Sequence, residues 1–107
     1  MISIYQSDDG RVAEKQTITP GTWVHLCEPE EAEIERVCAE LHVDPDFVRA
    51  ALDEEERSRL EVEDGVTLIL VDTPTVEAEG RSFVYSTIPF GIVLTPDNIL
   101  TVCLKET

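Results

Sequence analysis

Hydrophobic residues recur at every second position in several short segments of the chain and with helical spacing in two others. A first helix is predicted over residues 29–42, because four apolar residues fall on one stripe: Ile34, Val37, Cys38 and Leu41. A second, short helix is predicted from residue 45 to about residue 53. Alternation, or a short apolar run between turn residues, predicts strands over residues 2–5, 11–16, 23–27, 60–62, 66–73, 82–94 and 99–104.

The order of these elements predicts the fold class. Both helices lie in the first half, and the second half consists of strands joined by turns, which is typical of an α+β domain. We expect a mixed, largely antiparallel β-sheet flanked by helices, with the first helix packed on it. Pro74 is predicted to mark a sheet edge or a bulge, and the long strand after residue 82 to be interrupted near residues 89–91. The length of 107 residues predicts one domain, residues 1–107.

The chain is strongly acidic, with a net charge of −15 from 23 acidic and 8 basic residues. This argues against nucleic acid as a partner, because phosphate binding requires a cationic surface that releases counterions. The longest apolar run is far shorter than the roughly 20 residues of a membrane-spanning helix, and we expect no signal peptide. The three cysteines form no Cys-x-x-Cys pair, which favours a reducing compartment. No nucleophile elbow or phosphate-binding loop occurs, so we do not expect an enzyme.

The most distinctive segment lies between residues 43 and 71. Asp44 and Pro45 mark a helix start, with a capping carboxylate and a proline at the first helical position. An acidic tract at residues 53–56, the segment Arg57-Ser58-Arg59-Leu60-Glu61 and an apolar strand then follow in order. This succession resembles the cytoplasmic domain of CorA-type magnesium/cobalt transporters, although Ser58 replaces the usual proline. Residues 23–31, a Trp-containing strand that runs into an acidic helix start, and residues 92–102 resemble two further parts of that domain.

The resemblance implies a function. It covers the whole chain but only about the first third of such a transporter, so the membrane helices and the pore signature would lie in a C-terminal part absent from this chain. It implies a regulatory domain at the cytoplasmic face of the cell membrane, a homopentamer in the full-length protein, and Mg²⁺ or Co²⁺ as the transported cation. We expect the fragment itself to be soluble and monomeric. The alternative is a stand-alone acidic soluble binding module with no transport role.

The acidic residues around the second helix suggest a weak metal site. In the related family a carboxylate in this helix helps to form a regulatory metal site, but the corresponding position, counted from Pro45 without gaps, is Ala50 here. Asp46 and Asp53 flank Ala50 at helical spacing, and Glu54 is adjacent. We therefore expect Asp46, Asp53 and Glu54 to hold divalent cations such as Mg²⁺ weakly, with no tightly bound cofactor.

A transition-metal site is the second possibility. His25 and Cys27 alternate onto one face of a strand, and Cys38 and His42 lie four residues apart on a helix, so together they offer ligands that Zn²⁺ prefers. Cys38 also belongs to the apolar stripe, where a cysteine behaves as a small hydrophobic residue. This favours buried cysteines over a zinc site. Trp23 is interpreted as a core residue.

Overall fold

The computed structural model describes residues 1–53 and 58–104. Its elements follow the predicted order closely, with longer strands at three places. They are β1 (Ile2–Asp8), β2 (Arg11–Lys15), β3 (Trp23–Cys27), α1 (Glu31–Leu41), α2 (Pro45–Ala50), β4 (Arg59–Glu63), β5 (Val66–Glu79), β6 (Ser82–Leu94) and β7 (Ile99–Cys103).

The described strands form one seven-stranded sheet in the order β2-β1-β3-β7-β6-β5-β4. All neighbouring strands are antiparallel except β3 and β7, which pair in parallel with Trp23 beside Ile99 and Cys27 beside Cys103. This pair joins the N-terminal and C-terminal parts of the chain. The prediction of an α+β fold with a mixed, largely antiparallel sheet is confirmed.

Two tight hairpins follow from Asp-Gly pairs. Asp9 and Gly10 connect β1 to β2, and Asp64 and Gly65 connect β4 to β5, with all four residues at positive φ (49°, 76°, 51° and 79°). Two successive positive φ values are those of a type I′ turn, whose twist matches that of paired strands. The turn residues therefore determine the register of both edge hairpins.

α2 begins at Pro45 as predicted, whereas α1 begins at Glu31, two residues after its predicted start at Pro29. At the start of α1 the Glu30 backbone N–H donates to the Glu33 carboxylate over 2.9 Å, and at the start of α2 the Asp46 N–H donates to the Asp44 carboxylate over 2.9 Å. The predicted end of α2 at residue 53 is wrong, because the helix ends at Ala50. Beyond it, backbone N–H groups bond the carbonyl three residues back, including that of Asp53 to Ala50 over 3.3 Å, which closes the helix in a tight turn.

The core lies between the two helices and one side of the sheet, which we call the helix-covered face. The predicted stripe of α1 is buried there, and so are Leu68 and Leu70 of β5. Gly91 of β6 allows α2 to approach, since a Cβ atom at this position would lie 2.5 Å from Ala51 Cβ. Strand residues with little or no exposure that face the helices include Val24, Leu26, Val93, Leu100 and Val102.

The β5–β6 hairpin extends beyond the rest of the sheet. Its two strands pair continuously from Thr67 with Leu94 to Glu79 with Ser82, so the predicted interruption near residues 89–91 is wrong. A proline need not break an antiparallel ladder where its nitrogen faces away from the partner strand. Pro74 lies in the outer part of the ribbon, where β4 no longer pairs with β5, which agrees with its predicted edge position.

Candidate functional site

The chemically richest part of the sheet is at the β3–β7 seam, on the side away from the helices, which we call the open face. Trp23, His25 and Cys27 alternate onto this face from β3. The parallel register places Thr101 beside His25 and Cys103 beside Cys27. Local alternation and one long-range pairing thus bring an imidazole, two thiols and a hydroxyl together.

The polar atoms of this group are close to one another. One ligand atom each from His25, Cys27 and Cys103 lies within 4.8 Å of the others. His25 Nε2 is 3.8 Å from Cys103 Sγ, and His25 Nδ1 is 2.7 Å from Thr101 Oγ1. Both cysteines are buried and His25 is half-buried, so the group is partly shielded from solvent.

Trp23 closes one side of the group. Its ring centroid lies 5.1 Å from that of Tyr5 and 6.1 Å from that of His25, and its Nε1–H donates to Thr101 Oγ1 over 2.8 Å. The side chain is 42% exposed, so its interpretation as a core residue is wrong. Trp23 lies on the open face, where no described helix covers it, and its hydrogen bond and ring contacts hold it in place.

The four-residue transition-metal set of the sequence analysis does not assemble. Cys38 lies in the core on the helix side of the sheet, where burial raises the pKa of its thiol to about 11. His42 is exposed at the end of α1, in a left-handed conformation with φ of 57°. The structure replaces both with Cys103. The sequence offered no signal for this residue, because nothing local predicts that β3 and β7 pair.

The predicted carboxylate site is only partly described, because Glu54 lies outside the described residues. Asp46 is exposed on α2, and its Oδ1 accepts a hydrogen bond from Arg49 Nη1 over 3.1 Å. Asp53 is exposed beyond the helix end, whereas Ala50 is buried in the core cluster. Among the side chains that the structure describes, His25, Cys27 and Cys103 are the one group with the number and closeness of ligands that a metal ion needs.

The open face is also unusually apolar. Leu60 and Val62 of β4 are 66% and 62% exposed, and Ile99 of β7 is 47% exposed. Leu94 of β6 lies on the same face and is 37% exposed. Several exposed apolar side chains on one sheet face are typical of a surface that contacts another part of a protein.

A groove lies at the end of the sheet near the C-terminus of α1. It has a volume of about 410 Å³, and its lining includes Glu40, His42, Asp64 and Asp97. The groove brings no three possible metal ligands within reach of one ion among the described side chains. It therefore provides acidic surface but no assembled site.

Several solved structures share the fold of this chain. The chain is similar to the complete CorA magnesium transporter of Methanocaldococcus jannaschii, with a TM-score of 0.75, 17% identity, and coverage of 100% of this chain and 33% of that chain. For the soluble domain of the same CorA the values are 0.77, 17%, 99% and 41%. For the ZntB cytoplasmic domain of Vibrio parahaemolyticus they are 0.67, 13%, 98% and 44%. The chain thus spans less than half the length of these proteins.

No curated protein matches the chain. Within residues 1–53 and 58–104, no helix is long and apolar enough to cross a membrane. The family model described as CorA-like Mg²⁺ transporter protein matches residues 21–107, which include β3, both helices and the rest of the sheet. The chain belongs to the CorA-like Mg²⁺ transporter family.

Proposed function

We propose that this chain is the cytoplasmic regulatory domain of a divalent cation transporter that conducts Mg²⁺ or Co²⁺. The observation that carries the proposal is the family match over residues 21–107. The complete transporter is proposed to be a homopentamer at the cell membrane, in which this domain senses cations and does not act as an enzyme. The net charge of −15 supports this role, since an acidic surface raises the local concentration of cations.

The open face supports a place within a larger protein. In a sheet with one face in water, the side chains along each strand normally alternate between apolar residues that face the core and polar residues that face the water. Here Leu60, Val62 and Ile99 are each about half exposed or more. We propose that another part of the complete transporter covers this face, which gives the domain a surface through which a change in cation binding could reach the membrane part.

The cation-sensing residues in this proposal are Asp46, Asp53 and Glu54. Arg49 lies beside Asp46 and also forms a salt bridge with the Glu31 carboxylate. The positively charged guanidinium of Arg49 therefore already occupies one side of Asp46. A Mg²⁺ ion would have to compete with this guanidinium and would retain most of its waters. We expect a dissociation constant of about 1 mM or weaker, as for oxygen sites with few charged ligands.

A Mg²⁺ titration of the ¹⁵N-labelled chain, followed through its backbone amides, tests the site. Shifts should centre on Asp46 and Asp53. Asp46→Asn should weaken binding, whereas Arg49→Gln should strengthen it a few-fold because the competing cation is removed. Arg36→Gln is the matched control, since Arg36 pairs with Glu40 on α1 and its loss changes the net charge equally.

Two outcomes would count against the proposal. Equal strengthening by Arg36→Gln and Arg49→Gln would show that only the net charge matters. Shifts centred on the groove, at Asp64 or Asp97, would place the cation elsewhere.

The transporter role has a separate test in the complete reading frame. This frame should continue into a long helix and two apolar spans, the first of which ends with Gly-Met-Asn. A frame without these spans would favour a stand-alone binding module.

A further inference from the structure

We propose that His25, Cys27 and Cys103 bind one divalent transition-metal ion of the zinc class at the β3–β7 seam. The three ligand atoms lie within 4.8 Å of one another on the open face of the sheet. This inference does not depend on the proposed transport function, because it rests on different residues, at a different place on the sheet.

The distances are close to those that a metal ion requires. A tetrahedral Zn²⁺ site has Zn–S bonds of about 2.3 Å and Zn–N bonds of about 2.0–2.1 Å, which places a sulfur and a nitrogen ligand roughly 3.6 Å apart. His25 Nε2 and Cys103 Sγ are 3.8 Å apart. The two side chains therefore need to move by only a few tenths of an ångström to share an ion.

The neighbouring residues hold the imidazole in the orientation that metal binding needs. A histidine ligand usually donates its second ring N–H to a fixed acceptor, which sets both tautomer and ring direction. Thr101 Oγ1 is 2.7 Å from His25 Nδ1 and also accepts the Trp23 Nε1–H over 2.8 Å. Since an indole can only donate, the second lone pair of the hydroxyl can accept Nδ1–H. Nε2 then directs its lone pair toward Cys103.

The ligand chemistry selects the class of ion. Two thiolates and one imidazole suit Zn²⁺, Co²⁺ and similar ions, whereas Mg²⁺ takes oxygen ligands and retains water. Three protein ligands leave a fourth position for water or another group. Because His25 is half-buried in the chain by itself, an ion can reach the site from solvent there.

The position of the site gives it a structural consequence. His25 and Cys103 are separated by 78 residues along the chain and belong to the one parallel pair of the described sheet. An ion bound there would link β3 to β7, so the stability of the seam would depend on transition-metal availability. Binding to the folded state alone raises stability by mass action.

Co²⁺ titration of the chain, kept reduced with a phosphine, tests the proposal. We expect saturation at one equivalent, with thiolate-to-cobalt charge-transfer absorption and the strong ligand-field bands of a tetrahedral site. Zn²⁺ should displace these bands, and a large excess of Mg²⁺ should leave them unchanged. Because folding of each variant matters, far-UV circular dichroism and the melting temperature are recorded without metal.

Variants distinguish this site from other cysteines and histidines. Cys103→Ser and His25→Gln should each weaken Co²⁺ binding by more than about 100-fold, beyond the effect of a supporting residue. Thr101→Val leaves all three ligands in place and should weaken binding by about 10–100-fold. Cys38→Ala and His42→Asn are the matched controls, and both should bind Co²⁺ as the unaltered chain does. Asn is chosen at position 42 because it tolerates the left-handed conformation.

Three results would overturn the assignment. The first is the absence of thiolate bands at one equivalent of Co²⁺. The second is bands that persist in folded Cys103→Ser but disappear in Cys38→Ala or His42→Asn. The third is an unchanged Co²⁺ affinity in folded His25→Gln, which keeps the proposal testable if Cys103→Ser does not fold. An unchanged affinity in Thr101→Val would overturn only the positioning role of its hydroxyl.

Discussion

The two faces of the sheet are built by the same alternation but differ in what covers them. On the helix-covered face, Leu26, Leu68 and Leu100 have no exposed surface. On the open face, Leu60 and Trp23 are 66% and 42% exposed. The difference shows that apolar content alone does not place a strand residue in the core of this chain. These large side chains are buried where α1 and α2 lie over the strand, whereas the smaller Cys27 and Cys103 are buried on the open face as well.

The chemistry is unequally divided as well. The helix-covered face is almost entirely apolar, and its one thiol, Cys38, has a pKa that burial raises to about 11. The open face carries the Trp23–Thr101–His25 hydrogen bonds and the contact of His25 with Cys103. Thus the first face holds the fold together, and the second has the groups that could bind an ion or a partner.

The largest expected difference between the faces is in the cost of truncating a leucine. Leu68→Ala removes a side chain with 0% exposure and should lower the free energy of unfolding by about 2–5 kcal/mol. Leu60→Ala, on the adjacent strand and the other face, should change it by less than about 0.5 kcal/mol. Urea unfolding of both variants measures this difference. Equal losses would mean that the open face is covered in the isolated chain, for example by a second copy.

A smaller effect is expected where α2 touches the sheet. Gly91→Ala would place a methyl group 2.5 Å from Ala51 Cβ and should destabilise the chain by about 1–3 kcal/mol through overpacking. The matched variant Gly91→Ala with Ala51→Gly removes the opposing methyl group and should recover most of this loss. A double-mutant cycle of urea midpoints gives the coupling. Additive losses would contradict the contact between α2 and β6.

The hydrogen bonds of the open face should contribute less. Thr101→Val removes the acceptor of Trp23 Nε1–H and the partner of His25 Nδ1 with little change in shape, and should cost about 1 kcal/mol without metal. The emission of the single tryptophan should change with it. Thr67→Val, on β5 and the same face, is the control and should leave both properties unchanged. An unaltered emission spectrum in Thr101→Val would show that Trp23 is held by ring contacts alone.

The smallest effect concerns the start of α1. The Glu30 N–H and, to a smaller extent, the N-terminal amine donate hydrogen bonds to the Glu33 carboxylate and lower its pKa below the ordinary value. The stabilisation that these hydrogen bonds give to the folded state is therefore present at pH values above the ordinary pKa of a glutamate. It is lost as the pH falls through the lowered pKa of Glu33. Glu33→Gln should reduce stability at neutral pH and flatten this acid-side loss. Glu35→Gln, exposed on the same helix, should retain the slope of the unaltered chain in urea unfolding at several pH values.

Most elements of the fold could be predicted locally. β3 has its predicted bounds, and α2 begins at its predicted cap Asp44, because alternation, capping carboxylates and Asp-Gly turns act over a few residues. The predicted end of α2 and the break in β6 were wrong because each depends on neighbours in space. Gly91 and Ala51 pack against each other, and β5 pairs with β6 along its whole length.

The sequence by itself determined the α+β class, the apolar stripe of α1 and the alternation that puts His25 and Cys27 on one side of β3. It also carried the family resemblance, which the match over residues 21–107 confirms. Only the tertiary structure decided that β7 pairs in parallel with β3, so that Cys103 and Thr101 join His25 while Cys38 is buried on the opposite side. The physical reason is that strand pairing across 78 residues is selected by the packing of the whole sheet, and no short-range pattern encodes it.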